Sequence, residues 1–180
     1  MMLKELLFKV CETFEELHIP YALIGGYSAI IYGSPYTTQD IDFVAEPKQI
    51  TVELLDKLKK IGLEPTEDYS DIEYLRSFGQ FVHKDTGIVL HIFPEVAGFK
   101  IAGGIEIEIK ELEGKQVKVC TPEDYLVMRA TLWDDEDKLK AVVLARAQKK
   151  LNLNYLMRRA KEENVTKRIE WILKEAEIDE

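Results

Sequence analysis

Apolar residues recur at helical spacing at the start of the chain and in short extended runs after it. Over residues 1–18 they form one stripe, made of Leu3, Leu6, Leu7, Val10, Phe14 and Leu17. This spacing predicts an amphipathic helix, and Pro20 ends it because proline lacks the backbone N–H that a helix interior requires. The apolar run from Tyr21 to Ile24 then predicts a strand that closes on Gly25 and Gly26.

The middle of the chain alternates predicted helices, strands and turns. A short helix is expected over residues 28–32, and a longer one over residues 51–61 that ends at Gly62, a residue type favoured just after a helix. Two β-hairpins follow, one pairing residues 80–83 with 88–93 and the other pairing residues 105–112 with 116–120.

From Pro122 to residue 178 the apolar spacing is almost wholly helical, and proline suits a first helical turn. Asn152, Asn154 and Asn164 predict breaks that divide this segment into three or four helices. The order of elements predicts an α+β fold, a mixed β-sheet with flanking helices followed by a C-terminal helical segment. We expect residues 1–121 to form the α/β core and residues 122–180 to form a helical subdomain packed directly on that core.

The first candidate for chemistry is the glycine pair at the end of the predicted strand. Glycine has no Cβ, so the backbone can approach a ligand closely, and a helix that begins here points unpaired N–H groups at anions. Gly25, Gly26 and Ser28, whose hydroxyl adds a donor, are therefore candidate phosphate contacts. Glycines after a strand also serve as simple turns, which is the alternative at this position.

The second candidate is the pair Asp40 and Asp42, which lie two residues apart in a predicted strand. Side chains at this spacing project from one face of a strand, while Ile41 and Phe43 point to the other face and enter the core. Paired carboxylates suit magnesium, which prefers oxygen ligands. The alternative is a solvated Asp-x-Asp at the start of a loop. Aspartate is disfavoured in strands without a reason, so two aspartates in a predicted strand favour a functional role.

Taken together, the Gly-Gly turn, the spacer and the Asp-Ile-Asp motif resemble the nucleotidyltransferase superfamily related to DNA polymerase β. Within it, the chain is most similar to the groups that include minimal nucleotidyltransferases and abortive-infection type toxins, where a threonine stands just before the paired aspartates, as Thr38 does here. The segment TPEDYLVMRA, residues 121–130, also resembles a Pro-Glu-Asp segment of these groups that opens a helix.

The resemblance implies a nucleotidyltransferase that moves a nucleoside monophosphate from a nucleoside triphosphate such as ATP to a hydroxyl. Asp40 and Asp42 are then the catalytic metal ligands for Mg²⁺ or Mn²⁺, and Gly25, Gly26, Ser28 and Thr38 bind the nucleotide. The acceptor stays open between tRNA or another RNA, a protein and a small molecule. A toxin role would add an antitoxin as partner, and a non-catalytic nucleotide-binding or interaction module of the same fold is the alternative.

The superfamily normally supplies a third carboxylate from a later strand, and this chain departs from that pattern. The expected strand places His91 in the acidic position, and imidazole is a poorer magnesium ligand than a carboxylate but an effective base near neutral pH. Glu95 is the other candidate, on the same strand face if Pro94 does not end the strand first. A second departure is Tyr36, which stands where related sequences often carry a basic residue before the threonine.

Composition and charge limit the remaining possibilities. A net charge of −9 argues against a uniformly basic surface for nucleic acid, although the segment from Lys138 to Arg168 is rich in cations that either cover a solvated helix face or face a phosphate-binding cleft. Cys11 and Cys120 are expected to be buried thiols in a reducing cytoplasm. No run suits a membrane span, and neither a P-loop nor a dinucleotide fingerprint occurs.

Overall fold

The computed structural model describes residues 2–46, 48, 50–67 and 72–178. Seven strands lie within these ranges: β1 Tyr21–Ile24, β2 Asp40–Ala45, β3 Leu63–Pro65, β4 Gly79–His83, β5 Val89–Phe93, β6 Ile107–Leu112 and β7 Lys115–Cys120. The described helices are α1 Leu3–Glu16, α2 Gly25–Ile31, α3 Val52–Lys60, α4 Ile72–Ser77, α5 Pro122–Leu132, α6 Asp135–Ala147, α7 Leu153–Glu162 and α8 Thr166–Glu175.

The strands form one mixed sheet in the order β3-β4-β5-β2-β1-β7-β6. The pairs β2/β5 and β1/β7 are parallel, and the other neighbours are antiparallel. Both predicted hairpins are present as β4/β5 and β6/β7. The predicted α+β class, a mixed sheet with flanking helices and a C-terminal helical segment, is confirmed.

Strand β2 lies at the centre of the sheet, and its register fixes the surroundings of the aspartates. Asp42 is opposite Ile24 of β1 and also opposite His91 of β5. Since β1 ends at Ile24 and α2 begins at Gly25, the glycine pair lies beside Asp42 as well. Three separate stretches of sequence therefore meet at this one position of the sheet.

The two faces of the sheet are covered by different helices. On one face, Ile41 and Phe43 are fully buried in a cluster with α1 and α3, as predicted, and the rings of Phe14 and Tyr21 contact Phe43 at centroid distances of 5.2 and 5.4 Å. On the other face, Val44 packs in a second cluster formed largely by α5, α6, α7 and α8. Asp40 and Asp42 share the face of Val44, because strand side chains alternate, and so they point toward these C-terminal helices.

Several predicted boundaries differ from the structure. Helix α2 begins at Gly25 rather than at residue 28, so the glycine pair is the first turn itself. Asn154 lies inside α7 and does not break it, whereas Asn152 caps that helix. A break that was not predicted follows α5, where Trp133 has a left-handed φ of 63° and Asp134 caps α6. Strand β3 and helix α4 were not predicted either, because both are short.

Both cysteines are buried, as expected from their apolar surroundings. Among the described helices, none combines the length and the apolar character needed to cross a membrane.

Candidate active site

Asp40 and Asp42 stand at the first and third positions of β2, where the strand emerges from the loop of residues 32–39. Both carboxylates line a polar cavity of about 160 Å³ between the start of β2 and helices α5 and α6. Its wall combines residues that are far apart in sequence: Gly26, Ala29, Ser34, Tyr36, Thr37, Thr38, Asp40, Asp42, Tyr125, Arg129 and Lys140. The structure therefore brings the predicted aspartates, one predicted glycine and the predicted threonine to one place.

His91 lies directly beside Asp42. Its Nδ1 is 2.8 Å from Oδ1 of Asp42, and each side chain is about 20% exposed. The rings of Phe78 and Phe93 flank the imidazole, with centroid distances of 5.6 and 5.8 Å. The hydrogen bond to Asp42 raises the pKa of His91 above its ordinary value, while partial burial opposes that change.

Glu95 occupies a different position from His91. Strand β5 ends at Phe93, before Pro94, so strand alternation does not carry Glu95 to the aspartates. Its side chain is about half exposed and lies 3.8 Å from Nζ of Lys100. Of the two candidates for the family's third acidic position, the geometry brings His91 and not Glu95 to Asp42.

Both glycines leave room for a side chain of the site. At Gly25, where φ is +68°, an added Cβ would lie 2.1 Å from Oδ2 of Asp42. At Gly26, it would lie 2.9 Å from both Cβ and Oγ1 of Thr38. Glycine is required here because the backbone of the first turn of α2 packs directly against these two side chains.

Thr38 fixes the entrance of the loop into β2. The backbone N–H of Asp40 donates to Oγ1 of Thr38 at 3.3 Å. With Gly26 against its other side, the threonine is held between α2 and the start of the aspartate strand. This contact gives Thr38 a defined role in positioning Asp40, in addition to its place in the cavity wall.

Ser28 lies elsewhere than the cavity. It is fully buried, and its hydroxyl donates to the carbonyl oxygen of Gly25 at 2.7 Å, with the thiol of Cys120 at 3.8 Å. The hydroxyl thus fastens the first turn of α2 from inside. The hydroxyl therefore serves the helix turn in this structure, and its contact with a phosphate stays a prediction.

The C-terminal helices contribute the cations that the loop before Thr38 lacks. Arg129 of α5 and Lys140 of α6 both line the polar cavity, as Tyr36 does. Nη1 of Arg129 is 2.8 Å from Oδ1 of Asp137, and the guanidinium lies 5.0 Å from the ring centroid of Tyr125. Lys140 forms an ion pair with Glu136 one turn away. Positive charge therefore reaches the site from the helical segment.

Sequence reasoning included Lys140 in the positive segment but gave no role to Tyr125 or Arg129. Both stand in the TPEDYLVMRA segment, four residues apart, so they share one face of α5. The sequence therefore indicates that these two side chains lie on the same helix face. Which face of the helix points to the aspartates depends on how α5 packs on the sheet, and local sequence does not contain this information.

A metal ion at Asp40 and Asp42 would need some of its ligands from the enzyme's substrate. Within the described ranges, no group of three or more His, Cys, Asp or Glu side chains is arranged to hold an ion. Asp40 and Asp42 nevertheless place two carboxylates in one polar cavity beside cationic side chains. Magnesium is commonly held by one or two carboxylates together with the phosphates of its substrate, and the two aspartates fit that donor set.

A larger cavity lies on the helical segment. It has a volume of about 860 Å³ and is lined by α7 residues and their neighbours, among them Glu123, Asn152 and Met157. Neither aspartate borders it, so its size does not make it the candidate for the chemistry.

Residues 3–176 match the model of a family described as "Nucleotidyl transferase of unknown function (DUF2204)". A search of curated proteins found no matching relative.

Solved structures with the same fold include three nucleotidyltransferases or similar proteins, all below 20% identity. The lincosamide antibiotic adenylyltransferase LnuA, bound to lincomycin, has a TM-score of 0.59 and 17% identity, covering 82% of this chain and 99% of that one. ANT(2")-Ia in complex with adenylyl-2"-tobramycin has a TM-score of 0.60 and 13% identity, covering 89% and 95%. An antigenic nucleotidyltransferase-like protein from Paracoccidioides brasiliensis has a TM-score of 0.58 and 18% identity, covering 98% and 93%.

Proposed function

The chain belongs to the nucleotidyl transferase family whose model spans residues 3–176, and on that premise we propose that it transfers a nucleoside monophosphate from a nucleoside triphosphate to a hydroxyl of a small molecule, with a divalent metal. The observation that carries the proposal is the polar cavity whose wall contains Asp40 and Asp42 together with Arg129 and Lys140. A triphosphate needs both kinds of group, cations for its oxygens and carboxylates for the metal that accompanies it.

Arg129 and Lys140 are proposed to hold the β- and γ-phosphates. The guanidinium of Arg129 is oriented by Asp137 and by the ring of Tyr125, which leaves it pre-organised for oxyanions. Lys140 supplies a point charge to the same cavity. The backbone at Gly26, with Thr38 against it, closes the cavity from the sheet side, and Gly25 makes the room in which Asp42 stands.

Asp40 and Asp42 are the proposed ligands for Mg²⁺ or Mn²⁺. When bound, the ion would neutralise charge that develops on the transferred phosphoryl group and on the leaving pyrophosphate. The protein's own part is to keep the two carboxylates oriented and close to the cations that hold the phosphates. His91 orients Asp42 through a hydrogen bond to Oδ1, which leaves Oδ2, packed against Gly25, without that partner.

His91 is the proposed general base. A neutral imidazole that donates its Nδ1–H to Asp42 keeps the lone pair of Nε2 for a proton from the acceptor hydroxyl. This is the arrangement by which a carboxylate fixes the tautomer of a catalytic histidine. The oxygen then attacks the α-phosphorus, the bond to pyrophosphate breaks, and the nucleoside monophosphate remains on the acceptor.

A small molecule is the favoured acceptor for two reasons. LnuA and ANT(2")-Ia, which share the fold, are named with lincomycin and with adenylyl-2"-tobramycin. The chain also carries a net charge of −9, which disfavours the phosphate backbone of an RNA acceptor. A tRNA or protein acceptor, with a toxin role and an antitoxin partner, is the competing version implied by the family resemblance, and the experiment below separates it.

The test uses each of the four α-labelled ribonucleoside triphosphates, ATP first, with Mg²⁺ or Mn²⁺ and a cell extract that contains RNA, protein and metabolites. Label that enters material below the protein and RNA size range, in wild type and not in Asp40→Asn or Asp42→Asn, supports the proposal. Label that becomes sensitive to nuclease or to protease would assign an RNA or protein acceptor and support the toxin version instead.

The second candidate function is a nucleotide-binding module without turnover. One observation favours it: the position of the family's third carboxylate holds His91. Its signature would be calorimetric binding of ATP with magnesium and no transfer to any fraction. No binding of any nucleotide would count against both functions.

A further inference from the structure

A second cavity adjoins the polar one and has a different character. Its volume is about 260 Å³, and it shares Asp42, Tyr125 and Arg129 with the polar cavity. The rest of its wall is Ile24, Gly25, Phe93, Val96, Met128 and Leu132. The shared residues form a common wall, with a phosphate-binding space on one side and an apolar space on the other.

One face of α5 spans both cavities. Tyr125, Met128, Arg129 and Leu132 follow each other at helical spacing, so they form a continuous stripe along the helix. Met128 is almost fully buried, whereas the side chain of Leu132 is 62% exposed although it is large and apolar. An exposed leucine at the edge of an apolar cavity is available to contact a bound molecule.

The far wall of this cavity connects to the proposed base. The ring of Phe93 lines the cavity and lies 5.8 Å, centroid to centroid, from His91. His91 in turn contacts Asp42, which lines both cavities. A molecule in the apolar cavity therefore contacts Asp42, a proposed metal ligand, and lies near His91, the proposed base.

The size and polarity of the cavity indicate what fits. A dry cavity of about 150 Å³ is enough for benzene, so about 260 Å³ accommodates a body of about ten non-hydrogen atoms. A nucleobase is a poor occupant, because the donors and acceptors on its edge would be buried against Ile24, Val96 and Met128 without partners. A saturated or aromatic ring, or a branched alkyl group, leaves no such groups unpaired.

We propose that this cavity binds the apolar body of the acceptor, a hydroxyl-bearing small molecule with a ring or alkyl group of that size, and that Met128 and Leu132 determine which acceptors fit. Identifying the bound molecule as the acceptor rests on the proposed function, but its binding in this cavity does not depend on turnover. The hydroxyl lies at the shared wall, toward Asp42 and His91, and the apolar body extends along α5.

The test is a binding measurement by NMR on the whole chain labelled with ¹³C at the methionine methyl groups. Met128 lines the apolar cavity, and Met157 lines the separate cavity on the helical segment, so one sample contains both the probe and its control. Each signal is assigned by a Met→Leu substitution. The compounds added are benzyl alcohol and cyclohexanol, with glycerol as a polar hydroxyl compound of no apolar body.

Benzyl alcohol and cyclohexanol are expected to shift the Met128 methyl signal in a saturable way and to leave the Met157 signal in place, while glycerol moves neither. Leu132→Lys should raise the Kd of both alcohols at least tenfold. Leu139→Lys is the matched control, because Leu139 is similarly exposed, at 55%, but lies on α6 outside the cavity, and it should leave Kd unchanged.

Equal shifts at Met128 and Met157, no shift at Met128, or equal effects of the two lysine variants would overturn the proposal. So would adenosine that displaces the alcohols from Met128, because the cavity would then hold the base of the nucleotide. Alcohol binding at Met128 in a protein that transfers no label would contradict the proposed function and leave the cavity assignment standing. Transfer of label without alcohol binding at Met128 would support the proposed function and overturn the assignment of the cavity.

Discussion

Asp42 and His91 are cross-strand partners whose side chains meet, with Nδ1 of the imidazole 2.8 Å from Oδ1 of the carboxylate. The parallel register of β2 and β5 places them side by side, and the aromatic rings of Phe78 and Phe93 keep the imidazole in that orientation. The strand in which the family resemblance implies a third acid thus places a histidine against the carboxylate of Asp42.

This relationship predicts that His91→Ala lowers kcat strongly, by roughly 10²- to 10⁴-fold, the range for loss of a general base. Glu95→Ala should stay close to wild type, because Glu95 lies beyond the end of β5 and pairs with Lys100 near the surface. The measurement is the rate of label transfer under saturating nucleotide. If Glu95→Ala lost the activity and His91→Ala retained it, the assignment of the base would be reversed.

Asp42→Asn is predicted to remove metal-dependent transfer, by roughly 10³-fold or more, because an amide is a poorer ligand for a hard cation. Its amide oxygen can still accept from Nδ1 of His91, so the free energy of unfolding should change by no more than about 1 kcal/mol. Urea denaturation measures the second quantity. Asp85→Asn, in an exposed turn, is the control, and an active Asp42→Asn protein would contradict the role of Asp42 as metal ligand.

The parts of this site that the sequence predicted are those that depend on neighbours along the chain. Strand alternation placed Asp40 and Asp42 on one face, and the apolar run to Ile24 located the glycine turn. Ser28 differs because a hydroxyl near a helix start has two uses, toward a ligand or toward the turn itself, and burial under Cys120 determined which. Spacing alone does not distinguish the two.

The location of Arg129 and Lys140 at the cavity could not be predicted from their neighbours in sequence. Each is more than eighty residues from the aspartates in sequence, and their arrival at the cavity depends on the packing of α5 and α6 against the face of Val44. The cations of the segment from Lys138 to Arg168 are visible in the sequence, but the sequence leaves two uses of them open, a solvated helix face or a phosphate-binding cleft. Tertiary packing brings Lys140 to the wall of the polar cavity and leaves Lys149 exposed outside it.

Lys140→Ala is therefore predicted to raise the KM for the nucleotide about tenfold or more with a smaller change in kcat, since a charge-assisted contact to phosphate is lost. Lys149→Ala is the matched control and should leave both constants unchanged. Arg129→Lys preserves the ion pair with Asp137 while losing the planar fork, so it should also raise KM. A nucleotide KM that is the same in all three variants would place the phosphates elsewhere.

Gly25→Ala is predicted to destabilise the protein and to reduce transfer together. The positive φ of 68° disfavours any residue with a Cβ, by about 1–2 kcal/mol, and the new methyl group would displace the carboxylate of Asp42. Gly87→Ala separates the two effects, because Gly87 has a similar φ of 71° and no heavy atom within 4 Å of the added Cβ. Comparable loss of stability in both variants, with activity lost only in Gly25→Ala, is the expected thermal and kinetic result.

A pH effect on stability is expected from Asp124, which lies in α5 next to the site but outside it. The carboxylate is fully buried, accepting from the hydroxyl of Tyr155 at 2.6 Å and from the backbone N–H of Glu106 at 2.7 Å. Burial raises the pKa of Asp124 from 3.8 to about 6, although these two hydrogen bonds and the charge of Arg159 oppose the rise. The folded protein therefore holds this proton at a pH where the unfolded chain has released it.

The stability that Asp124 contributes is fully present below pH 4 and is lost as the pH rises through about 6, the pKa in the folded protein. A difference of this size corresponds to about 3 kcal/mol between the two limits. Asp124→Asn should remove that slope, because its amide oxygen accepts from Glu106 while its NH₂ group donates to the oxygen of Tyr155. The free energies of unfolding of wild type, Asp124→Asn and the surface control Asp85→Asn, measured from pH 4 to pH 7, test this. Parallel curves for wild type and Asp124→Asn would show that the pKa of Asp124 is the same in the folded protein as in the unfolded chain.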